Sequence, residues 1–384
     1  MENRIRQLPD PTGRSIPLAR PDLGPRELEL VTEVLLSDTL ALGPFTERFE
    51  EAIAAAVGRS EAIACSSGTA GLHLGVRALE IGDGDEVLTT PFSFVASANC
   101  LLYERAIPRF VDIEEDSLGM NPDLVATAAG PRTRAILPVH AFGRPCRIEP
   151  LVGQARDNGW SILEDSCEGL GSSIGGTPLG GFGDVAVFAF YPNKQITTGE
   201  GGMVVTDDPS IAEAIRSMRN QGRDRDGTWL RHVRLGYNYR LDELSAALGV
   251  AQMERIDELR RGRRRVVAAY QAALGGADWI TLPTAGPDES VDWFVYVVQL
   301  HPDIDRNRVM EHLAAHGVAS RPYFSPLHLQ PFYMKTFGFQ PGDFPVTERV
   351  AATTLALPFS SRISDDDVRY VADVLIGSVD AVAS

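Results

Sequence analysis

Between residues 61 and 206 the sequence alternates short apolar runs with stretches of helical spacing, and that alternation decides the fold class. The runs Ala62–Cys65, Glu86–Thr89, Arg109–Val111, Ala135–Val139, Ser161–Glu164, Val185–Phe190 and Met203–Thr206 read as strands. Gly71–Leu79, Phe94–Tyr103 and Ile148–Asn158 carry apolar residues at helical intervals between them. Strands alternating with helices require right-handed crossovers, which build a mostly parallel sheet covered by helices on both faces. Only a short Gly-rich link joins the last two strands, so an antiparallel or irregular edge is expected there.

Upstream, Glu27–Leu36 and Phe45–Val57 have helical spacing on either side of a Gly43-Pro44 turn. From Asp242 onward the pattern becomes a long helical region running through Met253 and the basic run Arg260–Arg265. With Val266, Val267 and Tyr270 on the same amphipathic helix, that run reads as a solvated or dimer-facing surface. A strand at Phe294–Leu300, a helix at Arg306–His316 and a final helix at Asp365–Ile376 complete a smaller α+β unit. The expected division is residues 1–255, a large α/β domain with a Pro-rich N-terminal leader, and residues 256–384, a small C-terminal domain.

With 36 Lys+Arg against 52 Asp+Glu, the net charge is −16, which argues against a nucleic-acid partner. An anionic small ligand must therefore be held by local donors. Among the basic residues only Lys194 and Lys335 are lysines. A deprotonated primary amine attacks a carbonyl to form an imine, and a guanidinium does not. The four cysteines form no CxxC pair and have no histidine at zinc spacing, so neither a metal site nor a disulfide framework is expected. The N-terminal stretch lacks the apolar core of a signal peptide, and no apolar run is long enough to span a bilayer. A cytoplasmic enzyme with no membrane partner is expected.

In open α/β sheets ligands sit beyond the carboxyl ends of the strands. After Ala62–Cys65 comes Ser66-Ser67-Gly68-Thr69-Ala70, small residues opening a helix, which suits a phosphate cradle and equally an ordinary N-cap. Glu164 and Asp165 are adjacent, so they face opposite sides of the sheet and cannot serve one pocket. After Val185–Phe190 comes Tyr191-Pro192-Asn193-Lys194, then the Gly-rich Thr197-Thr198-Gly199-Glu200-Gly201-Gly202. A phosphate cradle, a carboxylate for a ring nitrogen and an amine for an aldehyde together suggest pyridoxal phosphate.

The segments SDTLALGPFTERFE, ACSSGTAGLHL, GDGDEVLTTPFSFVASAN, ILPVHAFGRP, LEDSCEGLGS, GDVAVFAFYPNKQITTGEGGMVVTDD, LGYNYRLDELSAALGVAQM and SRPYFSPLHLQPFY carry a further reading. In order and spacing the chain, from about Ile16 to the final helix, resembles the DegT/DnrJ/EryC1/StrS sugar aminotransferases, fold-type-I pyridoxal-phosphate enzymes. The resemblance implies that Lys194 links the cofactor as an imine and later shuttles protons. It gives Asp165 to the pyridinium nitrogen, Gly68, Thr69 and the Ala70 amide to the phosphate, and Phe94 to the ring face. Glu168 falls beside the ring hydroxyl, where the family often has Gln. Ala189 stands where the family commonly has a phosphate-binding Ser. Asn238 would reach the cofactor phosphate of the neighbouring subunit in a homodimer with shared sites. Arg321, Tyr323 and His328 fall in the stretch that contributes to the sugar-nucleotide pocket.

The activity so implied is ping-pong transfer of an amino group, by analogy from L-glutamate, to a keto group on a nucleotide-linked sugar. The cofactor would cycle between its pyridoxal and pyridoxamine phosphate forms. Three rivals are a cofactor-dependent sugar dehydratase, another pyridoxal enzyme, and a non-catalytic regulatory homologue. Dehydratase relatives carry histidine in place of the imine lysine, which Lys194 argues against.

Overall fold

The computed structural model describes residues 13–224 and 230–383; the first twelve residues of the leader lie outside these. Seven strands form the main sheet: β1 (Glu61–Cys65), β2 (Glu86–Thr89), β3 (Ile107–Phe110), β4 (Thr133–Ile136), β5 (Ser161–Asp165), β8 (Val185–Ala189) and β9 (Gly202–Thr206). The hairpin β6 (Ser173–Ile174) and β7 (Thr177–Pro178) interrupts the series and pairs with β11 (Glu289–Ser290). The main order is β1-β9-β8-β5-β4-β2-β3. From β8 to β3 all pairings are parallel, while β9 runs antiparallel to both β8 and β1. The expected antiparallel strand is therefore present, but inside the sheet; the edge is β1.

Strand alternation distributes side chains to two apolar layers. Ala62, Ala64, Ala186, Phe188, Met203 and Val205 meet Phe49 and Ile53 of helix Pro44–Val57 and Ala247 of helix Glu243–Glu254. Ile63, Val187, Val204 and Leu163 meet Leu72 and Val76 of helix Gly68–Ala78. This helix sits unusually close to the sheet because its facing ridge is glycine. A Cβ at Gly71 would lie 2.7 Å from Val187 Cγ1, and one at Gly75 would lie 2.7 Å from Leu163 Cδ1. Each such Cβ would cost about 1–3 kcal/mol in overpacking.

The smaller unit has its own sheet, β10 (Ile280–Thr281), β12 (Tyr296–Leu300) and β13 (Thr354–Leu357), in the order β10-β12-β13. Its core joins Tyr296, Val298 and Leu355 to Val266 and Tyr270 of helix Ile256–Leu274 and to Val371 and Leu375 of helix Asp365–Ala383. Ile16, expected with the large domain, bridges Val318 and joins this second core instead. The buried residues of helix Ile256–Leu274 are Leu259, Arg263, Val266, Tyr270 and Leu274, so an arginine occupies the apolar stripe.

The basic run is solvated only in part: Arg261, Arg264 and Arg265 are exposed, whereas Arg263 is buried and Arg260 half-buried. Asp292, whose side chain is fully buried, accepts from Arg260 and from Arg264 Nε at 3.1 Å, and Arg260 also donates to the Gly171 carbonyl. Arg265 pairs with Asp365 of the final helix. Arg260, Arg263, Arg264 and Arg265 each meet a carboxylate or carbonyl and so tie the helix to its surroundings, while Arg261 is exposed.

Candidate active site

Pairing across β1, β9 and β8 sets three strand ends level. Gly202 is the partner of Cys65 on one side and of Ala189 on the other. On the next strand Asp165 pairs with Val187. The loop Ser66–Ser67, the N-terminus of helix Gly68–Ala78, Asp165 and the loop carrying Lys194 therefore meet at one edge. Glycine permits this crowding. A Cβ on Gly202 would meet Ser67 O at 2.4 Å, and one on Gly68 would meet Ala189 Cβ at 2.7 Å and Cys167 Sγ at 3.0 Å.

At the helix N-terminus, the Gly68 and Thr69 N–H groups point outward without a protein acceptor among the described residues. Backbone amides at that position, with the helix dipole behind them, favour an anion. The Ala70 amide differs from expectation: it donates to Ser67 Oγ at 3.1 Å, closing the N-cap. Two amides and the Thr69 hydroxyl remain for a phosphate.

Asp165 is held from two sides. Ser97 Oγ donates to Oδ2 at 2.6 Å and the Cys167 N–H donates to Oδ1 at 3.1 Å. Since the single hydroxyl proton of Ser97 goes to Asp165, the 2.6 Å contact with Ser93 Oγ has Ser93 as donor. Ser93 and Ser97 were not predicted; their i,i+4 spacing at the opening of helix Ala96–Leu102 was the available signal. Glu164 faces the other side, as alternation requires. There it accepts from the Gly180, Phe182 and Gly183 amides and contacts His140 Nε2 at 3.2 Å. These donors hold its carboxyl below the usual range although burial opposes them.

Lys194 follows the turn closed by its N–H to the Tyr191 carbonyl. Its side chain is only 12% exposed. Nζ lies 3.3 Å from Glu168 Oε1 and 3.8 Å from the centroid of the Phe294 ring. The other Glu168 oxygen accepts from the Phe142 amide at 2.8 Å. Burial raises the Glu168 carboxyl above the usual value, with Lys194 and the Phe142 amide acting against it and Asp165 with it. Gly143 makes the turn possible: its φ is +89°, and a Cβ there would meet Glu168 O at 2.7 Å.

Phe94 is 62% exposed, a large ring left open at the cleft. It lines a cavity of about 800 Å³ with Ser93, Tyr103, Phe324, Phe332 and Tyr333. Tyr323 approaches from the small domain; its ring lies 6.1 Å from that of Phe142, and its hydroxyl is raised by burial and by Glu168. Arg321 pairs through its backbone with Ala356 and keeps its side chain exposed.

His328 does not join them. It is fully buried, paired with Glu348 at 2.9 Å and packed on Phe344. The 3₁₀ turn Leu327–Leu329 sends it beneath the pocket wall, where it braces the loop. Asn238 is exposed on an extended segment. Its neighbours are anchored: Tyr237 donates to Glu104 at 3.1 Å, and Tyr239 OH lies 3.1 Å from His73 Nδ1. Alternation then turns Asn238 outward. All four cysteines are free, and no metal-binding cluster occurs among the described residues. No described helix is long and apolar enough to cross a membrane.

Outward amides at a helix start, a buried anchored carboxylate and a shielded amine are a donor set that fits pyridoxal phosphate. Fold and site together define an aminotransferase of fold type I. A model of the DegT/DnrJ/EryC1/StrS aminotransferase family matches residues 21–376. The chain is 34% identical to GDP-perosamine synthase of Caulobacter vibrioides over 371 residues, 96% of this chain and 98% of that protein. Among solved structures, DesV of S. venezuelae, in complex with a ketimine intermediate, superposes with a TM-score of 0.86 at 34% identity. That match covers 91% of this chain and 93% of DesV. The PLP form of the putative sugar aminotransferase Spr1654 from Streptococcus pneumoniae gives 0.92 at 26% identity, covering 97% and 100%. The chain belongs to the DegT/DnrJ/EryC1/StrS aminotransferase family.

Proposed function

We propose that this chain transfers an amino group from an amino acid, by analogy L-glutamate, to the keto carbon of a nucleotide-linked sugar, as a homodimer with shared sites. The observation that carries it is the Lys194 amine, shielded and set against Glu168, at the strand edge that also holds Asp165 and the outward amides of Gly68 and Thr69. Pyridoxal phosphate, when bound, supplies an aldehyde for the amine and a ring that accepts electrons from the bond being broken. The Gly68 and Thr69 amides would hold its phosphate, Asp165 a protonated ring nitrogen, Glu168 the neighbourhood of its hydroxyl, and Phe94 one ring face.

The protein's own residues divide the work by charge. Asp165, whose carboxylate accepts from Ser97 Oγ and the Cys167 N–H, would favour a proton on a ring nitrogen set against it. Lys194 Nζ, as a free amine, would take a proton from the donor carbon and return one to the acceptor carbon. Glu168 orients that nitrogen and keeps it from bulk water. The aromatic cavity lined by Phe94, Tyr103, Phe324, Phe332 and Tyr333 suits a large substrate with a flat ring. The relative named GDP-perosamine synthase supports a nucleotide-sugar acceptor. Asn238 would extend to the phosphate site of a second copy.

Borohydride reduction of the cofactor-loaded protein, followed by peptide mass spectrometry, tests this reading. The adduct is expected on Lys194, with a near-visible band that bleaches on adding glutamate. An adduct on Lys335 overturns the assignment.

A further inference from the structure

The residue that hangs the reactive lysine in place comes from the other domain. Arg263 lies in the buried stripe of helix Ile256–Leu274 and is itself buried. One guanidinium nitrogen donates to the Lys194 carbonyl at 2.6 Å and the Asn193 carbonyl at 3.3 Å. The other donates to the carbonyls of Phe294 at 3.2 Å and Trp293 at 3.4 Å. Among the described residues no carboxylate hydrogen-bonds this guanidinium: the four acceptors are backbone oxygens. Burial pushes it down to about 10, with Asp292 and Asp22 opposing, so it stays charged at neutral pH.

Two of those acceptors belong to Lys194 and Phe294, whose side chains meet at the site. Lys194 Nζ rests on the Phe294 ring, and both backbones are tied to the same planar fork. The surrounding bonds lock the fork's partners to the rest of the cleft. Phe294 N–H donates to the Phe142 carbonyl, while Phe142 N–H donates to Glu168. Gln195 Nε2 bridges the Glu168 and Asp292 carbonyls at 2.6 and 2.9 Å. An ammonium could reach only part of this set, because its donors do not lie in one plane at fixed spacing.

We infer that Arg263 is a positioning residue, fixing Lys194 between Glu168 and Phe294 and transmitting the placement of helix Ile256–Leu274 to the amine. This rests on the reading of Lys194 as the cofactor-linking residue. Neighbouring Arg260 supplies the comparison: it binds Asp292 and Gly171 O at the same joint, and among the described residues it makes no hydrogen bond to the lysine loop.

The chain has only two lysines, so each amine can be followed separately. In the full-length protein freed of pyridoxal phosphate, amines are labelled by brief reductive methylation and quantified by peptide mass spectrometry. Exposed Lys335 is the internal reference. The Lys194-to-Lys335 ratio is expected to rise at least threefold in Arg263→Met, about twofold in Arg263→Lys, and to stay at the wild-type value in Arg260→Ala. Pyridoxal phosphate should dialyse from the Arg263→Met holoenzyme about tenfold faster. An unchanged ratio in either Arg263 variant that retains its near-ultraviolet circular dichroism overturns the inference, as does an equal rise in Arg260→Ala. If Arg263→Met does not fold, Arg263→Lys decides alone. The borohydride map of the wild type is a separate result, so failure of the lysine assignment would not be mistaken for failure of this one.

Discussion

The amine of Lys194 stands 3.3 Å from the carboxylate of Glu168, and the same carboxylate is capped on its far side by the Phe142 amide. The charge pair is thus braced from the protein interior and open only toward the cleft. Replacing Lys194 by Ala removes the amine while leaving the Gly68 and Thr69 amides and Asp165 in place. Lys194→Ala should lose ~10³-fold or more in turnover. It should still bind pyridoxal phosphate by equilibrium dialysis, and borohydride should leave no adduct.

Asn238 projects from an extended segment whose flanking tyrosines are tied to Glu104 and His73. If a second copy completes the site, Asn238→Ala should weaken cofactor retention by about tenfold, a lost charged-group hydrogen bond of about 1.4 kcal/mol. Mixing inactive Lys194→Ala with Asn238→Ala subunits should produce one site carrying both defects and one carrying neither. Recovered activity per mixed dimer is the measurement. Absence of recovery would argue for sites built within one chain.

Ala189 sits in the row with Gly202 and Cys65 and touches the space beside Gly68. Its methyl offers no donor where the family commonly has a hydroxyl. Ala189→Ser should lower the dissociation constant for pyridoxal phosphate about tenfold, measured by fluorescence titration.

Glu104 accepts from Arg77 at 2.9 Å and Tyr237 at 3.1 Å and contacts His73 Nε2 at 2.8 Å. Burial pushes its carboxyl upward, but these partners outweigh burial and hold it below 4.5. A depressed folded-state value means the unfolded chain binds more protons as pH falls through that window. The stabilisation is therefore present above pH 4.5 and is lost on acidification through the lower folded value. Glu104→Gln should cost about 1–3 kcal/mol at pH 7, with the gap to wild type closing in acid. Urea melts at pH 7 and pH 4 check it.

Much of the large domain was legible because its signals are local. Apolar runs, Gly-rich strand ends and the alternation of Glu164 and Asp165 each restrict the chain without reference to distant residues. The order of strands was less accessible: β9 inserts between β1 and β8 because Gly202 can pack against Ser67, a contact between positions far apart in sequence. Arg263 was misread for a related reason. Charge density in Arg260–Arg265 suggests solvent, whereas the spacing Leu259, Arg263, Val266, Tyr270 places one of these guanidinium groups inward. Periodicity outranked charge. The burial of His328 was illegible for another reason, since a histidine in a loop near Tyr323 gives no sign of which way a 3₁₀ turn will rotate it. The Ala70 amide was lost to Ser67 because a hydroxyl at the N-cap competes with any external anion for the same donor.

The back-to-back carboxylates at the end of β5 have a bearing on how such a chain can change. One peptide unit separates an acid that secures the scaffold from one that faces the cleft, and strand geometry keeps them on opposite sides. An insertion or deletion of a single codon within β5 would therefore exchange their surroundings, placing the longer acid in the cleft and the shorter one among amides it cannot span. Gradual drift in length is closed to this strand; its descendants can vary by substitution, or by paired indels that restore phase.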